Sequence, residues 1–254
     1  MQIGLFFNIH DWLYAMILAS ARLMPSFILL PFLNNNTLTG MIRMPVAMIV
    51  GVSLWPYPLQ ELPDFDTLFY FGLVAKEVII GLLMACFFCW PLWVLHAVGS
   101  MIDNQRGATL SSSIDPLSGV DTSELANLFN LFAAVIILES GGLLLISQVF
   151  QASYQLWDPL SFTLPSLYPA LTFLSIMMAK AFILASPVLV GFLLAEALLG
   201  LLSRFAPQMN AFSLALTIKS SIAFFILILY FTPIIPVEVI NMRFHADSLF
   251  GWLK

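Results

Sequence analysis

Long apolar stretches alternate with short polar ones along the whole chain. Six apolar segments stand out: Trp12 to about Pro31, Met44–Pro58, Leu68–Val98, Leu125–Phe150, Pro169–Leu202 and Ala211–Phe231. None shows the period-two alternation of a half-buried strand. Their length and their Leu, Ile, Ala, Phe and Met content predict helices. A membrane barrel would instead alternate apolar and polar residues in segments of about ten. A bilayer span takes about 20 apolar residues, so four or five segments qualify outright and Met44–Pro58 only marginally. The expected fold is an all-α integral membrane protein, read as a single domain over residues 1–254.

One stretch breaks the pattern near the middle of the chain. DNQRGATLSSSIDPLSGVDTSE, Asp103–Glu124, holds five serines, two glycines and a proline between two apolar runs. Gly107 and Gly119 permit backbone conformations other residues resist. Asp115-Pro116 favours a turn and disfavours helix at Asp115. Asp103–Ser123 is therefore expected to be a non-helical excursion. Its unpaired backbone groups would each cost several kcal/mol in hydrocarbon, so it does not face lipid. Two readings remain open on composition: a solvent loop, or a segment folded into a water-filled or protein-lined cavity.

Composition makes the membrane reading firm. Of 254 residues 61% are hydrophobic and 9% charged, with a mean hydropathy of +0.98. A soluble domain carries roughly 25% charged residues, too many to be matched here. The net charge of −5 is dispersed, and no basic patch points to nucleic acid. The N-terminus, MQIGLFFNIHDW, lacks a basic leader and a small-residue cleavage site, so the first apolar run is expected to be retained. Arg43, Arg106 and Arg204 fall after the first, third and fifth segments, whereas Tyr57–Thr67 and Gln151–Tyr168 have no Lys or Arg. The positive-inside tendency then puts the N-terminus outside and the Arg-bearing loops in the cytoplasm.

No catalytic, cofactor-binding or metal-binding residues are expected. Cys86 and Cys89 stand at i, i+3 in an apolar run without a second cysteine pair to relay electrons, which favours packing over redox chemistry. His10, His96 and His245 have no metal-ligand spacing. Ser111–Ser113 lack a nucleophile elbow.

The charges inside the apolar runs carry more information. Lys76, Glu77, Glu139, Lys180, Glu196 and Lys219 all lie there. Each would cost at least about 2.5–3.5 kcal/mol at mid-bilayer, so several must pair, face a wet cavity or meet another subunit. Lys76 and Glu77 are adjacent, about 100° apart on a helix, and are expected to need partners elsewhere. Small residues at four-residue spacing, Gly81 with Ala85, Gly191 with Ala195 and Ala211 with Ala215, suit close helix packing, within the chain or against other subunits. Pro25, Pro91 and Pro187 each remove a helical hydrogen bond and are expected to kink their helices.

Three stretches resemble one family. KEVIIGLLMACFFCWPLWVLHAVGSMIDNQRGATLSSSIDPLSG, Lys76–Gly119, is similar to the central region of the FliR/SctT family. SRFAPQMNAFSLALTIK, Ser203–Lys219, looks like its Arg-x-x-Pro-Gln-x-Asn-x-Phe…Lys signature, and RLMPSFILLPFL, Arg22–Leu33, resembles its N-terminal region. DNQRGATLSSSIDPLSG is closer to the injectisome, SpaR/EscT-type branch than to the flagellar one. The resemblance implies a type III secretion export-gate component of the bacterial inner membrane, without enzymatic chemistry. It implies kinked helical hairpins packed in a helical assembly with SctR-type and SctS-type subunits. Further implied partners are an SctU-type switch protein, an inner-rod or needle-adaptor protein, and secreted substrates in transit.

In that family the loop between the central helices plugs the closed pore. The matching residues are Arg106, Gly107, Ala108, Thr109, Leu110, Ser111, Ser112, Ser113, Ile114, Asp115, Pro116, Leu117, Ser118 and Gly119. This implication moves the polar stretch toward the cavity reading. Buried-charge or subunit-packing roles fall to Lys76, Glu77, Glu139, Lys180, Glu196, Arg204, Pro207, Gln208, Asn210 and Lys219, with Asn210 and Lys219 as interhelical hydrogen-bond donors. A self-contained secondary transporter with a buried Lys/Glu relay is the alternative from another class.

Overall fold

In a computed structural model every regular element among the described residues is a helix; these residues are 2–33, 38–57, 67–108, 123–166, 168–206 and 211–250. In chain order they are α1 (Gln2–Leu29), α2 (Gly40–Leu54), α3 (Thr67–Arg106), α4 (Glu124–Glu139), α5 (Gly142–Leu156), α6 (Tyr168–Phe205), α7 (Ala211–Asn241) and α8 (Ala246–Phe250). The all-α membrane expectation holds. Four of these helices contain stretches long and apolar enough to cross a bilayer, in α1, α3, α6 and α7, and a fifth span is possible if α4 and α5 count as one broken span.

The boundaries differ from those the apolar runs predict. α2 has 15 residues and falls short of a span. The fourth apolar run, which Glu139-Ser-Gly-Gly142 interrupts in the sequence, does break there, at Gly141, whose φ of +82° is left-handed. A Cβ there would meet nothing within 4 Å, so glycine is needed for its backbone conformation and not for space. α3 continues through Asp103-Asn-Gln-Arg106, because none of these residues stops a helix; Gly107, at φ +81°, ends it. The non-helical excursion therefore begins after Arg106 and not at Asp103. α7 runs through Pro233 and Pro236 to Asn241, past the end of the sixth apolar run at Phe231. Arg43 and Arg204 lie inside α2 and α6 and not in loops. At 1.5 Å per residue, α3 rises about 60 Å, twice a hydrocarbon core of about 30 Å, so it cannot be a simple upright span.

The chain forms two compact units. The first comprises Met1–Cys89, Leu138–Thr172 and Arg243–Lys254. In its core α1 crosses α2 and α3 at glycines. A Cβ on Gly51 would lie 3.0 Å from the Ala19 backbone, and one on Gly81 would overlap the Arg22 carbonyl. Leu18, Tyr70 and Leu73 pack together, with the Tyr14 and Tyr70 rings edge-on at 4.7 Å. Phe88 meets Phe150, and Phe244, just before α8, stacks on Phe87 at 4.7 Å. Cys89 is buried and Cys86 half-buried, both as free thiols.

The second unit comprises Trp90–Ile137 and Phe173–Met242. Here Gly99 brings α3 against α4, since a Cβ would lie 2.5 Å from Ala126 Cα. Gly191 of α6 receives Ile222 and Ile226 of α7. Phe231 of α7 sits against Phe129 and Phe132 of α4, at 5.1 and 4.4 Å.

These crossings predict a graded response to a single methyl group. Gly81→Ala forces α1 and α3 apart and is expected to lose about 1–3 kcal/mol or more, as overpacked cores do. Gly200→Ala, on α6 with nothing within 4 Å of the added Cβ, is expected to be neutral or slightly stabilising. Thermal unfolding of the purified variants in detergent measures both.

Candidate functional site

The first unit holds a buried ionic cluster contributed by three helices and a turn. Arg22 of α1 and Glu77 of α3 are both fully buried. Arg22 donates to Glu77 in a fork, Nε to Oε2 at 2.5 Å and Nη2 to Oε1 at 2.8 Å. Its other donors reach Ser153 Oγ at 3.1 Å and the Trp157 carbonyl at 2.9 Å. The guanidinium also lies 4.0 Å from the centre of the Tyr154 ring. Lys76 Nζ donates to the carbonyls of Asp158, Pro159 and Ser161 at 2.7, 3.1 and 2.7 Å.

Lys76 Nζ also stands 2.9 Å from Glu77 Oε1, which corrects the expectation that adjacent residues would not pair. The lysine stem is long enough to curl back across the 100° separation. Both residues also have partners distant in sequence. The planar arginine fork supplies the bidentate geometry a carboxylate accepts, and the lysine, a point charge, gathers carbonyls. The outcome is mechanical: α1, α3, α5 and the turn 157–161 are held at one point.

In the second unit polar groups gather where α3 ends and α4 begins. The Asp103 carboxylate, fully buried, accepts from Arg106 Nε at 2.7 Å, from the Ser123 hydroxyl at 2.8 Å and from Leu125 N–H at 3.0 Å. Ser123 is the N-cap of α4, its Oγ accepting from Ala126 N–H at 3.2 Å. One carboxylate thus ties the two ends of the polar stretch together. Lys219 of α7 donates to the Gln105 carbonyl at 3.0 Å, a cation at the α3 C-terminus, and pairs with Glu196 of α6. Arg106 lies 5.7 Å from the Phe224 ring of α7. Elsewhere in this unit Lys180 pairs with Glu238 at 2.8 Å across α6 and α7.

The remaining expected site residues are less concentrated. Glu139 ends α4 and is exposed, and Arg204 is exposed near the end of α6, so neither is a buried charge within this chain. A carboxylate on the last residue of one helix and an arginine in the last turn of another can both reach water. Of the expected plug, Arg106, Gly107 and Ala108 are described; Thr109–Gly119 lie outside the described residues, as do Pro207, Gln208 and Asn210.

Sequence reasoning did not assign Arg22, Asp103, Ser123 or Glu238. A signal for Arg22 was available, because a lone arginine in an apolar helix needs an anionic partner, although no local pattern says that Glu77 is that partner. Asp103 was hidden by its place at the edge of a polar stretch.

A cavity of about 590 Å³ opens beside the ionic cluster of the first unit, lined among others by Trp55, Tyr57, Tyr154 and Asp158. Tyr57 Oη donates to Asp158 Oδ1 at 3.0 Å. Partial burial pushes the Tyr57 phenol up from its ordinary value, and the Asp158 hydrogen bond and charge push it further.

Residues 13–244 match the family model described as bacterial export proteins, family 1. The chain belongs to this family. It is 49% identical to the surface presentation of antigens protein SpaR of Salmonella typhimurium, over 98% of this chain and 95% of that one. It is 33% identical to Yop proteins translocation protein T of Yersinia pestis over 82% of each. The flagellar biosynthetic protein FliR of Bacillus subtilis is similar at 23% identity over 91% of each chain. With its apolar helices, this export protein is a multi-pass protein of the bacterial inner membrane.

The cluster around Glu77 should be the most sensitive point of the first unit. Glu77→Gln leaves Arg22 and Lys76 buried without a counter-charge, and about 3–5 kcal/mol of stability is expected to be lost. Glu139→Gln, at an exposed position, is expected to stay within about 0.5 kcal/mol. The yield of monodisperse protein and its melting temperature in detergent read both.

Proposed function

We propose that this export protein is a structural and gating subunit of a type III secretion export gate. It helps form the entry pore for unfolded secreted proteins across the inner membrane, and the stretch around Gly107–Gly119 seals that pore at rest. Near-full-length similarity to SpaR, to Yop proteins translocation protein T and to the secretion system apparatus protein SsaT of Salmonella typhimurium supports the secretion role. The observation that carries the gating role is the Asp103 carboxylate. It pins both ends of the polar stretch, so whatever lies between starts and finishes at one anchored place.

The partners in this reading are SctR-type and SctS-type subunits, an SctU-type switch protein and an inner-rod or needle-adaptor protein. Support comes from the apolar surface the chain leaves uncovered. Only 33% of the apolar window in α6 and 22% of that in α7 is buried within the chain, so much of each helix is open to lipid or to other subunits. The role is mechanical, with no reaction catalysed.

Deleting Ser111–Ser113 in cells carrying the whole secretion complex tests the sealing role. Raised ion leak across the inner membrane is expected, with the complex still assembled. Unchanged leak from an assembled complex would overturn it. Solute uptake by the purified chain alone in liposomes would favour the self-contained transporter instead.

A further inference from the structure

We infer that Lys219 of α7 is a latch on the C-terminal turn of α3, so that the anchor at Asp103 answers to where α7 lies. The contacts of the latch all fall within the second unit and stand by themselves. Its consequence for sealing rests on the gating role proposed above.

A helix leaves its last four carbonyls without partners in its own backbone. In α3 these belong to Asp103, Asn104, Gln105 and Arg106. The Asn104 carbonyl accepts from the Gly107 N–H at 3.2 Å. The Gln105 carbonyl accepts from Lys219 Nζ at 3.0 Å, across 114 positions of sequence. Lys219 is 7% exposed, and its other partner is Glu196 of α6. The Phe192 ring of α6 lies 5.9 Å from the ammonium. Arg106 lies 5.7 Å from Phe224, so α7 meets the same turn twice.

That turn also carries the anchor. Asp103 reaches Ser123 and the Leu125 N–H, and Arg106 Nε, one turn on, steadies the carboxylate at 2.7 Å. If the turn frays, Arg106 leaves and the carboxylate loses the donor that orients it. Helix termini open most readily, and a cation on the last carbonyls opposes this. The closest packing of α3 on α4, at Gly99 against Ala126, comes before the turn. The two helices can therefore stay together while the anchor loosens.

The latch is also able to let go. The Glu196 side chain is 47% exposed, against 9% for Lys219. A pair half in the open holds weakly, so water or a competing charge can draw Glu196 away. A buried ammonium is costly without its counter-charge. The long apolar stem of Lys219 lets the ammonium follow Glu196 outward, and it then leaves Gln105. A plain staple between α6 and α7 would behave differently, because its loss would loosen the whole hairpin and not one turn of α3.

The test is amide hydrogen exchange on the assembled secretion complex, with ion leak measured in cells carrying the same variants. Lys219→Met keeps the apolar stem and removes the ammonium. It is expected to speed exchange at Gln105, Arg106 and Gly107 about tenfold or more, the size of one hydrogen bond to a charged group. The amides of Ile80–Val98 are expected to hold. Lys219→Arg, which keeps the charge and a donor, should keep most of the protection. Glu196→Gln should speed the same three amides by a smaller factor, and should add nothing to Lys219→Met, because both act through one bond. Unchanged exchange at these amides, or an equal rise throughout α3, α6 and α7, would overturn the latch.

The leak separates the latch from the seal. Raised leak is expected in Lys219→Met. Faster exchange without leak, where the Ser111–Ser113 deletion does leak, would overturn control of the seal by Lys219. Faster exchange without leak from either variant would overturn the sealing role and leave the latch standing. Should Lys219→Met not assemble, Glu196→Gln alone decides: faster exchange at the three amides is expected, and unchanged exchange there would sink the latch.

Discussion

The first unit depends on one carboxylate that has no water to fall back on. Glu77 is fully buried, and its two oxygens are shared between the Arg22 fork and the Lys76 ammonium. Taking such ions out of water costs several kcal/mol each, and their attraction repays this only when geometry and additional hydrogen bonds are good. Here they are: Arg22 also satisfies Ser153 and Trp157, and Lys76 gathers three carbonyls. The cluster is better understood as a register device than as a source of net stability. Apolar helices slide past one another at small penalty, because one methyl-lined groove resembles the next. A charge that can be satisfied in only one alignment removes that freedom, and the Gly81 contact with the Arg22 carbonyl sets the approach at the same level.

The second unit handles its ions differently. Asp103 and Lys219 act at helix ends, the first on the N-terminus of α4 and the second on the last carbonyls of α3. Helix termini have unpaired backbone groups that must be satisfied wherever water is absent. Placing a carboxylate and an ammonium on those groups answers two needs at once, since the ions gain partners and the helices gain caps. Glu196 and Lys180, by contrast, stay partly exposed, so their pairs resemble surface bridges and contribute little on their own.

The legible and illegible parts of the molecule divide along physical lines. Apolar runs of 20 or more residues announced the helices, because in an apolar medium only a helix satisfies its own backbone. Helix ends were not legible. Asp103-Asn-Gln-Arg106 looks like loop, yet a helix already 36 residues long continues until a residue stops it, and Gly107 does. α7 continues past Pro233 and Pro236 for a related reason: leaving the helix would orphan more backbone groups than the two prolines do. The need of Glu77 for a partner distant in sequence was legible, but that Arg22 answers it was not. That pairing spans 55 positions and depends on how α1 crosses α3, which no local pattern encodes.

The Asp103 clamp can be weighed against what it must accomplish. Asp103 and Ser123 are separated by 20 positions. Bringing together the ends of a chain of that length costs about 2–3 kcal/mol in loop entropy, beyond a constant, and the cost grows only slowly with length. A hydrogen bond to a charged group contributes about 1.5–3 kcal/mol net. Asp103 makes two across the gap, to Ser123 and to Leu125, so the clamp is of the right size to hold the base of the segment closed without help from the segment itself. That separation of tasks matters for the gating role proposed above. If the anchor carries the closure, the residues between Gly107 and Gly119 need not stabilise the fold. Their composition, small and polar, is then free to answer to the passage they are proposed to seal.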